Sequence, residues 1–273
     1  MTRQQEWVPQ SIDTSVPSMA RAYDFLLGGA HNFAADREFA AKVEQSLPGS
    51  RQMARVNRAF MARAVRFMLD QGIRQFLDVG SGIPTVGNVH EIAQEAAPGC
   101  RVVYVDKDPI AVAHSELLLE GNEHAGVVGA DMRDPERIFG SPQVRRLLDL
   151  SQPVGLLFLL VLHWIPDDAD PYGLLARYLD AVPGGSFLAI SHVTETSGKE
   201  DIVEEMTGLV RRSKSAEELT YRDYDDVLRL FAGLELVDPG VVGCGLWRPG
   251  GPGDISEEHE SNTVIYVGVA EKP

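Results

Sequence analysis

The feature that most constrains this chain is an alternation that runs from residue 75 to residue 269. Short runs rich in Val, Ile, Leu and Phe alternate with longer stretches of helical period. A strand covered on both faces is apolar almost throughout, and two parallel neighbours need a crossover long enough for a helix, so the alternation predicts a parallel sheet with helices on both sides. The predicted strands are Gln75–Val79, Arg101–Asp106, Gly126–Ala130, Val154–Leu162, Ser186–His192, Leu234–Val237 and Thr263–Val269. The helices between them are expected near Val86–Ala97, Pro109–Glu120, Tyr172–Ala181 and Ile202–Val210. Three Asp-Pro pairs, Asp108–Pro109, Asp134–Pro135 and Asp170–Pro171, read as helix starts with proline at the first helical position. The Gly/Pro-rich stretch from Pro239 to Asn262 reads as a loop long enough to be mobile or to reach over a site.

Residues 1–70 carry helical period without strands. One helix over Pro17–Leu27 stops at Gly28–Gly29, a second over Asp36–Ser46 ends before Pro48, and a third places Met53, Val56, Phe60, Ala64 and Phe67 on one face. Residues 1–70 are therefore expected to form a helical cap or lid on a nucleotide-binding unit at 71–273, the two making one integrated structure. Five arginines, Arg51, Arg55, Arg58, Arg63 and Arg66, stand against one acid in Arg51–Asp70. They form either a solvated face or, through Arg55 or Arg58 together with Asn57, a bidentate seat for a carboxylate.

Composition excludes some classes. A formal charge of −15 repels phosphate backbones and anionic lipid, so neither nucleic acid nor membrane is an expected partner. No apolar run reaches the ~20 residues of a membrane span, and the N-terminus lacks an apolar signal region. Two cysteines, Cys100 and Cys244, are too few for a disulfide framework and fit a cytoplasmic chain. The histidines lack metal-ligand spacing, so no metal is expected, and there is no Gly-x-Ser-x-Gly elbow. Oligomeric state is not legible.

The chemistry begins at Phe76-Leu77-Asp78-Val79-Gly80-Ser81-Gly82-Ile83-Pro84-Thr85, an apolar strand with an acid near its end, then a Gly-x-Gly turn, then an expected helix. Glycine permits the sharp turn and lets a ligand approach the backbone, and a helix N-terminus adds N–H groups. The third glycine of a dinucleotide fingerprint would fall at Thr85 and is absent. Asp78 would repel a diphosphate but attract an ammonium or sulfonium. The second strand ends at Asp106, 24 residues beyond Gly82, where a carboxylate accepts from ribose hydroxyls. Its alternative role, a helix cap, is better filled by Asp108. The third strand ends in Ala130-Asp131-Met132, where Asp131 accepts from an adenine amino group or merely caps the surface.

These motifs resemble those of the class I S-adenosylmethionine-dependent methyltransferases. More narrowly the chain is similar to a family long catalogued as a domain of unknown function and later labelled S-adenosyl methyltransferase. The similar segments are Asp13–Pro17, Tyr23–Gly29, Asn32–Arg37 and Val161–Asp168, and the resemblance covers nearly the whole chain. The resemblance implies a Rossmann-like α/β fold whose seven-stranded sheet is parallel except for an antiparallel last strand. It also implies S-adenosyl-L-methionine as cofactor. Many members of the superfamily carry a third glycine where this chain has Pro84. The cofactor-binding set comprises Asp78, Gly80, Ser81, Gly82, Asp106, Lys107, Asp131, Met132 and Leu160, with Arg21, Asn57 and Arg58 from the N-terminal helices.

His163 and Tyr23 are the catalytic candidates. His163 follows the apolar fourth strand and either orients an acceptor, takes its proton or bonds the cofactor; otherwise it satisfies a backbone carbonyl. Trp164 reads as core, and His192 stands at the acceptor side or is structural. Tyr23 and Arg21 are expected near the cofactor's methionine end, Phe33 near the acceptor, and Gly28–Gly29 as hinges of a lid that His31 and Asn32 help to form. A small-molecule acceptor is expected, against the alternatives of a non-catalytic S-adenosylmethionine sensor and an NAD-linked oxidoreductase.

Overall fold

A computed structural model describes residues 13–84, 87–195, 200–213, 217–250 and 261–273. Helices α1 (Met19–Leu27), α2 (Ala34–Ser46) and α3 (Ser50–Asp70) precede any strand. The sheet contains β1 (Gln75–Val79), β2 (Arg101–Asp106), β3 (Ala125–Gly129), β4 (Gly155–Leu159), β5 (Phe187–Val193), β6 (Glu235–Leu236), β7 (Val242–Gly243) and β8 (Ile265–Glu271). Its order is β3-β2-β1-β4-β5-β8-β6, with β7 also on β8. The first five strands pair in parallel and β8 runs antiparallel to β5, β6 and β7.

The predicted mostly parallel sheet with an antiparallel last strand is present, with eight strands where seven were expected. The additional strand, β7, is a two-residue pairing within the Gly/Pro-rich stretch. That stretch does not all behave as a surface loop. Trp247 is fully buried and meets Phe60 and Phe67 edge-on, while the part of the stretch at 251–260 lies outside the described residues.

Alternation within strands sorts side chains into two layers. Phe76, Val102 and Tyr104 face the cluster that contains α3; Leu77, Val79, Val103 and Val105 face the cluster beneath α8 (Pro171–Asp180). Between β1 and β2 stands α4 (Val89–Ala96), and after β2 comes α5 (Pro109–Leu118). The Asp-Pro pairs start helices as expected: Asp108, Asp134 and Asp170 each accept from a first-turn N–H of α5, α6 (Pro135–Phe139) and α8. Three short helices, α7 (Pro142–Leu147), α10 (Tyr224–Arg229) and α11 (Ser261–Val264), were not foreseen, being too brief for a clear periodic signal.

The predicted fourth strand is cut short by backbone geometry. Leu160 has φ +50°, in the left-handed region, and its N–H donates to Ser191 O at 3.0 Å and Ser191 Oγ at 2.9 Å. The chain then makes a 3₁₀ turn at Leu162–Trp164, so the apolar run continues past the end of the pairing.

The N-terminal helices divide between two surroundings. Buried residues of α3, among them Met53, Phe60, Ala64 and Met68, belong to the same core as the sheet. Leu26 of α1 and Phe39 and Val43 of α2 instead cluster with Met206, Leu209 and Val210 of α9 (Glu200–Arg212). The arginine run is not uniformly solvated either: Arg63 is buried, and donates to Trp247 O at 2.8 Å and Cys244 O at 2.9 Å. Trp247→Ala is expected to destabilise the protein by about 3–5 kcal/mol, read as a lower midpoint in denaturant unfolding.

Candidate active site

A cavity of about 610 Å³ opens where β1, β2 and β4 end, and the N-terminal helices and α9 close its other side. Its floor is the turn after β1. Gly80 and Ser81 donate their N–H groups to Val105 O at 2.8 and 3.0 Å, and Gly82 N–H donates to Asp106 Oδ2 at 2.7 Å. The second oxygen of Asp106 accepts from Asp108 N–H at 2.8 Å. One buried carboxylate thus ties the turn to the start of the next helix.

The two glycines of the turn serve different ends. Both have positive φ, +71° and +66°. A Cβ on Gly80 would lie 2.2 Å from Val161 Cγ2, so the bare position there accommodates a neighbouring side chain and not a ligand. A Cβ on Gly82 would meet open space. The expected helix N-terminus is also displaced: α4 begins only at Val89, after Asn88, whose N–H is held by Glu91 Oε2. The residues at 85–86, where the third glycine was sought and the helix expected to begin, lie outside the described residues.

Most of the predicted set lines this cavity: Arg21, Tyr23, Asn57, Arg58, Asp78, Gly80, Ser81, Gly82, Asp106, Lys107, Met132, Leu160 and His163. Asp131 does not line it. Its carboxylate accepts from the backbone and side-chain nitrogens of Arg133 at 2.9 Å, which also holds its pKa below the usual carboxylate value. Phe33 is likewise elsewhere, packed with Ile83, Ile110 and Ala111 and lying under the Arg21 guanidinium. Arg55 is exposed and stands apart from the lining, whereas Arg58 belongs to it and reaches Asn88 Oδ1 at 3.3 Å.

Several expected lid residues are committed to structure. Asp24, buried beneath the Gly28–Gly29 turn, accepts from His31 N–H and Asn32 Nδ2. A Cβ on Gly29 would collide with that carboxylate at 2.0 Å, so the Gly29 position is one of close packing, not a hinge. Arg21 directs Nε to Asp36 at 2.8 Å, Nη2 to Val16 O at 2.8 Å and Nη1 to Asp108 at 3.3 Å. Lys107 pairs with Glu217 at the rim.

Two acids dominate the electrostatics. Burial raises Asp78 to about 7, with Arg58 opposing and Asp106 adding to the shift. Burial also raises Asp106 to about 6, restrained by the N–H groups of Asp108 and Gly82. Four buried polar atoms of the lining, Ser50 Oγ, Asn57 Oδ1, Ser81 Oγ and His163 Nδ1, have no hydrogen-bond partner among the described residues. Tyr23 OH donates to Ala54 O and accepts from Asn57 Nδ2, each at 3.1 Å. His163 is buried, and desolvation, then His192 and Arg222, hold its pKa well below 6.5, so the ring is neutral near pH 7.

Arg222 was not singled out from sequence. It is buried, and its guanidinium reaches Leu162 O at 3.2 Å, Ile165 O at 2.8 Å, Asp167 Oδ1 at 2.7 Å and His192 Nε2 at 2.7 Å. It thereby clamps the turn that carries His163. His192 belongs to this clamp and does not line the cavity. Nor was α9 assigned to the site, although Met206 and Val210, at helical spacing, were the signal that one of its faces is covered.

A parallel sheet with an antiparallel last strand, and a glycine turn flanked by two buried acids at its carboxyl edge, define a Rossmann-like methyltransferase. The chain belongs to the S-adenosyl methyltransferase family, whose model matches residues 5–273, and its cofactor is S-adenosyl-L-methionine. It is similar to a candidate methyltransferase from Thermobifida fusca YX, with 38% identity, TM-score 0.90, and 98% of this chain and 99% of that one covered. A DUF574 family protein from Streptomyces avermitilis MA-4680 is 37% identical with TM-score 0.89, over 96% of this chain and 99% of that one. The plantazolicin methyltransferase BamL shares the fold alone, at 8% identity and TM-score 0.54 over 93% and 95% of the two chains. No curated protein matches the chain. No helix among the described residues is long and apolar enough to cross a membrane, and no group of side chains there has the arrangement to hold a metal.

The two acids give a test of sign. A carboxyl whose pKa is raised from 3.8 by folding contributes stability that is fully present below pH ~4 and is lost as pH rises through about 6 for Asp106 and about 7 for Asp78. Asp78→Asn is therefore expected to stabilise the unliganded protein at pH 8, by roughly 1–4 kcal/mol, and much less at pH 5. Urea unfolding at the two pH values checks this.

Proposed function

We propose that the chain is an active enzyme that transfers a methyl group from S-adenosyl-L-methionine to a small-molecule acceptor in the cytoplasm. The observation that carries this reading is the buried pair Asp78 and Asp106 on the floor of the cavity, where a cationic nucleoside supplies the missing counter-charge and a diphosphate would be repelled. A cavity of this volume suits a small ligand, and the charge of −15 disfavours nucleic acid. Two buried free thiols, Cys100 and Cys244, accord with a reducing compartment.

In this reading Asp106 holds the ribose hydroxyls: a carboxylate has about four lone-pair sites, of which the Gly82 and Asp108 N–H groups take two. Asp78 faces the ammonium, and Asn57 and Arg58 face the carboxylate. The unpartnered Ser81 Oγ and Asn57 Oδ1 are further points of attachment. Ala130, Met132 and Leu160 provide the apolar flank for the base, with Asp131 left to Arg133. Helices from residues 1–70 serve as the cap on the unit at 71–273, with Arg21, itself held by Asp36 of the cap, fastening cap to sheet edge through Asp108.

When bound, S-adenosylmethionine supplies a methyl group on a cationic sulfur, which an acceptor lone pair displaces in line. The protein's part is to align the acceptor and exclude water, which yields most of the acceleration when the leaving group is already good. His163 Nδ1, neutral and without a partner among the described residues, accepts the proton or hydrogen bond of the acceptor's nucleophile. Tyr23 acts through Asn57, which its hydroxyl orients.

Titration calorimetry with S-adenosylhomocysteine tests the reading. One molecule per chain is expected, with Asp106→Ala weakening it by about 1–3 kcal/mol. Binding of NAD in preference to S-adenosylhomocysteine would reject the reading, and unchanged affinity in a folded Asp106→Ala variant would reject the ribose role.

A further inference from the structure

The cavity has two walls of opposite character. One, from the strand ends and the Asn57–Arg58 part of α3, carries Asp78, Ser81, Asp106, Asn57 and Arg58. The other comes from α1, α2, α9 and the segment beside them, and presents Leu26, Phe39, Val43, Trp164, Met206 and Tyr221. Neither α2 nor α9 contributes an ionisable side chain to the lining. These six residues also pack with one another as a single apolar cluster, which Trp164 joins to the cluster beneath α8. The charged and hydroxyl groups of the cofactor find their partners on the first wall. The second is unsuited to them, because burying a charge or polar group without a partner costs several kcal/mol.

His163 stands where the walls meet. It lies in the 3₁₀ turn that follows β4 and Leu160, and its ring lies 4.6 Å from that of Trp164. It is 4% exposed, with Nδ1 unpartnered among the described residues. On the apolar side the only comparable group among those atoms is Ser50 Oγ, which is buried, lines the cavity and also lacks a partner there. A guest on this side is thus offered extensive apolar contact and one or two hydrogen bonds, while the charged Arg21 and Glu217, which also line the cavity, are already paired with Asp36 and Asp108 and with Lys107.

We propose that the methyl acceptor is an uncharged, predominantly apolar small molecule, seated against α1, α2 and α9, with its O–H or N–H nucleophile directed to His163. The proposal rests on the cofactor reading above, because it assigns to the acceptor the wall that the cofactor leaves. The methyl carbon gains a bond to the acceptor's oxygen or nitrogen as it loses that to sulfur. The acceptor's proton passes to His163 Nδ1 or water, and S-adenosylhomocysteine leaves.

The test uses the full chain saturated with S-adenosylhomocysteine and N-phenyl-1-naphthylamine as probe, a neutral dye that brightens in apolar surroundings. One dye per chain is expected, and the sulfonated analogue 8-anilinonaphthalene-1-sulfonate should bind at least ten-fold more weakly. Val43→Trp on α2 and Met206→Trp on α9 fill the same space from separate helices. Each should weaken the neutral dye at least ten-fold and leave S-adenosylhomocysteine affinity within two-fold; if one variant fails to fold, the other decides. Displacement of the dye by S-adenosylhomocysteine, equal binding of the sulfonated dye, or unchanged dye affinity in the folded variants would overturn the proposal. Failure of S-adenosylhomocysteine to bind the unsubstituted chain, measured before dye is added, would instead remove the cofactor reading and this inference with it.

Discussion

The carboxylate of Asp106 is the joint on which the site depends. Its two oxygens take the Gly82 and Asp108 N–H groups, so the turn after β1 and the start of α5 are held at fixed separation. Asp108 passes the connection on: Oδ1 caps α5 through Ile110 N–H, and Oδ2 meets Arg21. Arg21 in turn holds Asp36, which accepts from Ser18 and Phe33 N–H groups and so fixes the approaches to α1 and α2. A continuous polar chain therefore runs from the sheet edge to the second helix, through side chains almost wholly removed from water. Such a network is stable only when every member is satisfied, because the low local dielectric penalises any missing partner.

The other side of the cavity has a comparable anchor. His192 Nδ1 donates to Val193 O, which leaves Nε2 to accept from Arg222. The ring is therefore neutral, and burial pushes its pKa down to about 3. Arg222 extends from His192 to the carbonyls of Leu162 and Ile165, so two histidines of similar burial have opposite standing. His192 is spent on architecture. His163, held in place by the same clamp, keeps a ring nitrogen without a partner among the described residues.

The floor of the site was legible because it is local. The Gly-x-Gly turn, Asp78 before it and Asp106 at the end of the next strand follow from strand period and a fixed spacing, and the parallel pairing of β1 with β2 brings them together. What was misjudged depended on which partner each polar group met in the folded chain. Asp131 reads like Asp106, yet Arg133 two residues on takes its carboxylate. Phe33 and Asn32 sit in a Gly-rich loop suggestive of a lid, yet Asp24 draws that loop inward from seven or eight residues away. Arg222 carried no sequence signal, since all its partners lie 30–60 residues earlier.

From its sequence alone the chain had already determined a sheet of parallel strands, its antiparallel last member by family likeness, its helix starts, and an acid-flanked glycine turn suited to a cationic nucleoside. These are matters of period, propensity and short spacing, which act within one crossover. Only the tertiary structure decided which residues share the cavity, that Gly80 makes room for Val161, that α3 belongs to the sheet core, and that α9 helps to enclose the site. The reason is physical: burial and the satisfaction of polar groups depend on every element packed nearby, and no single segment carries that information.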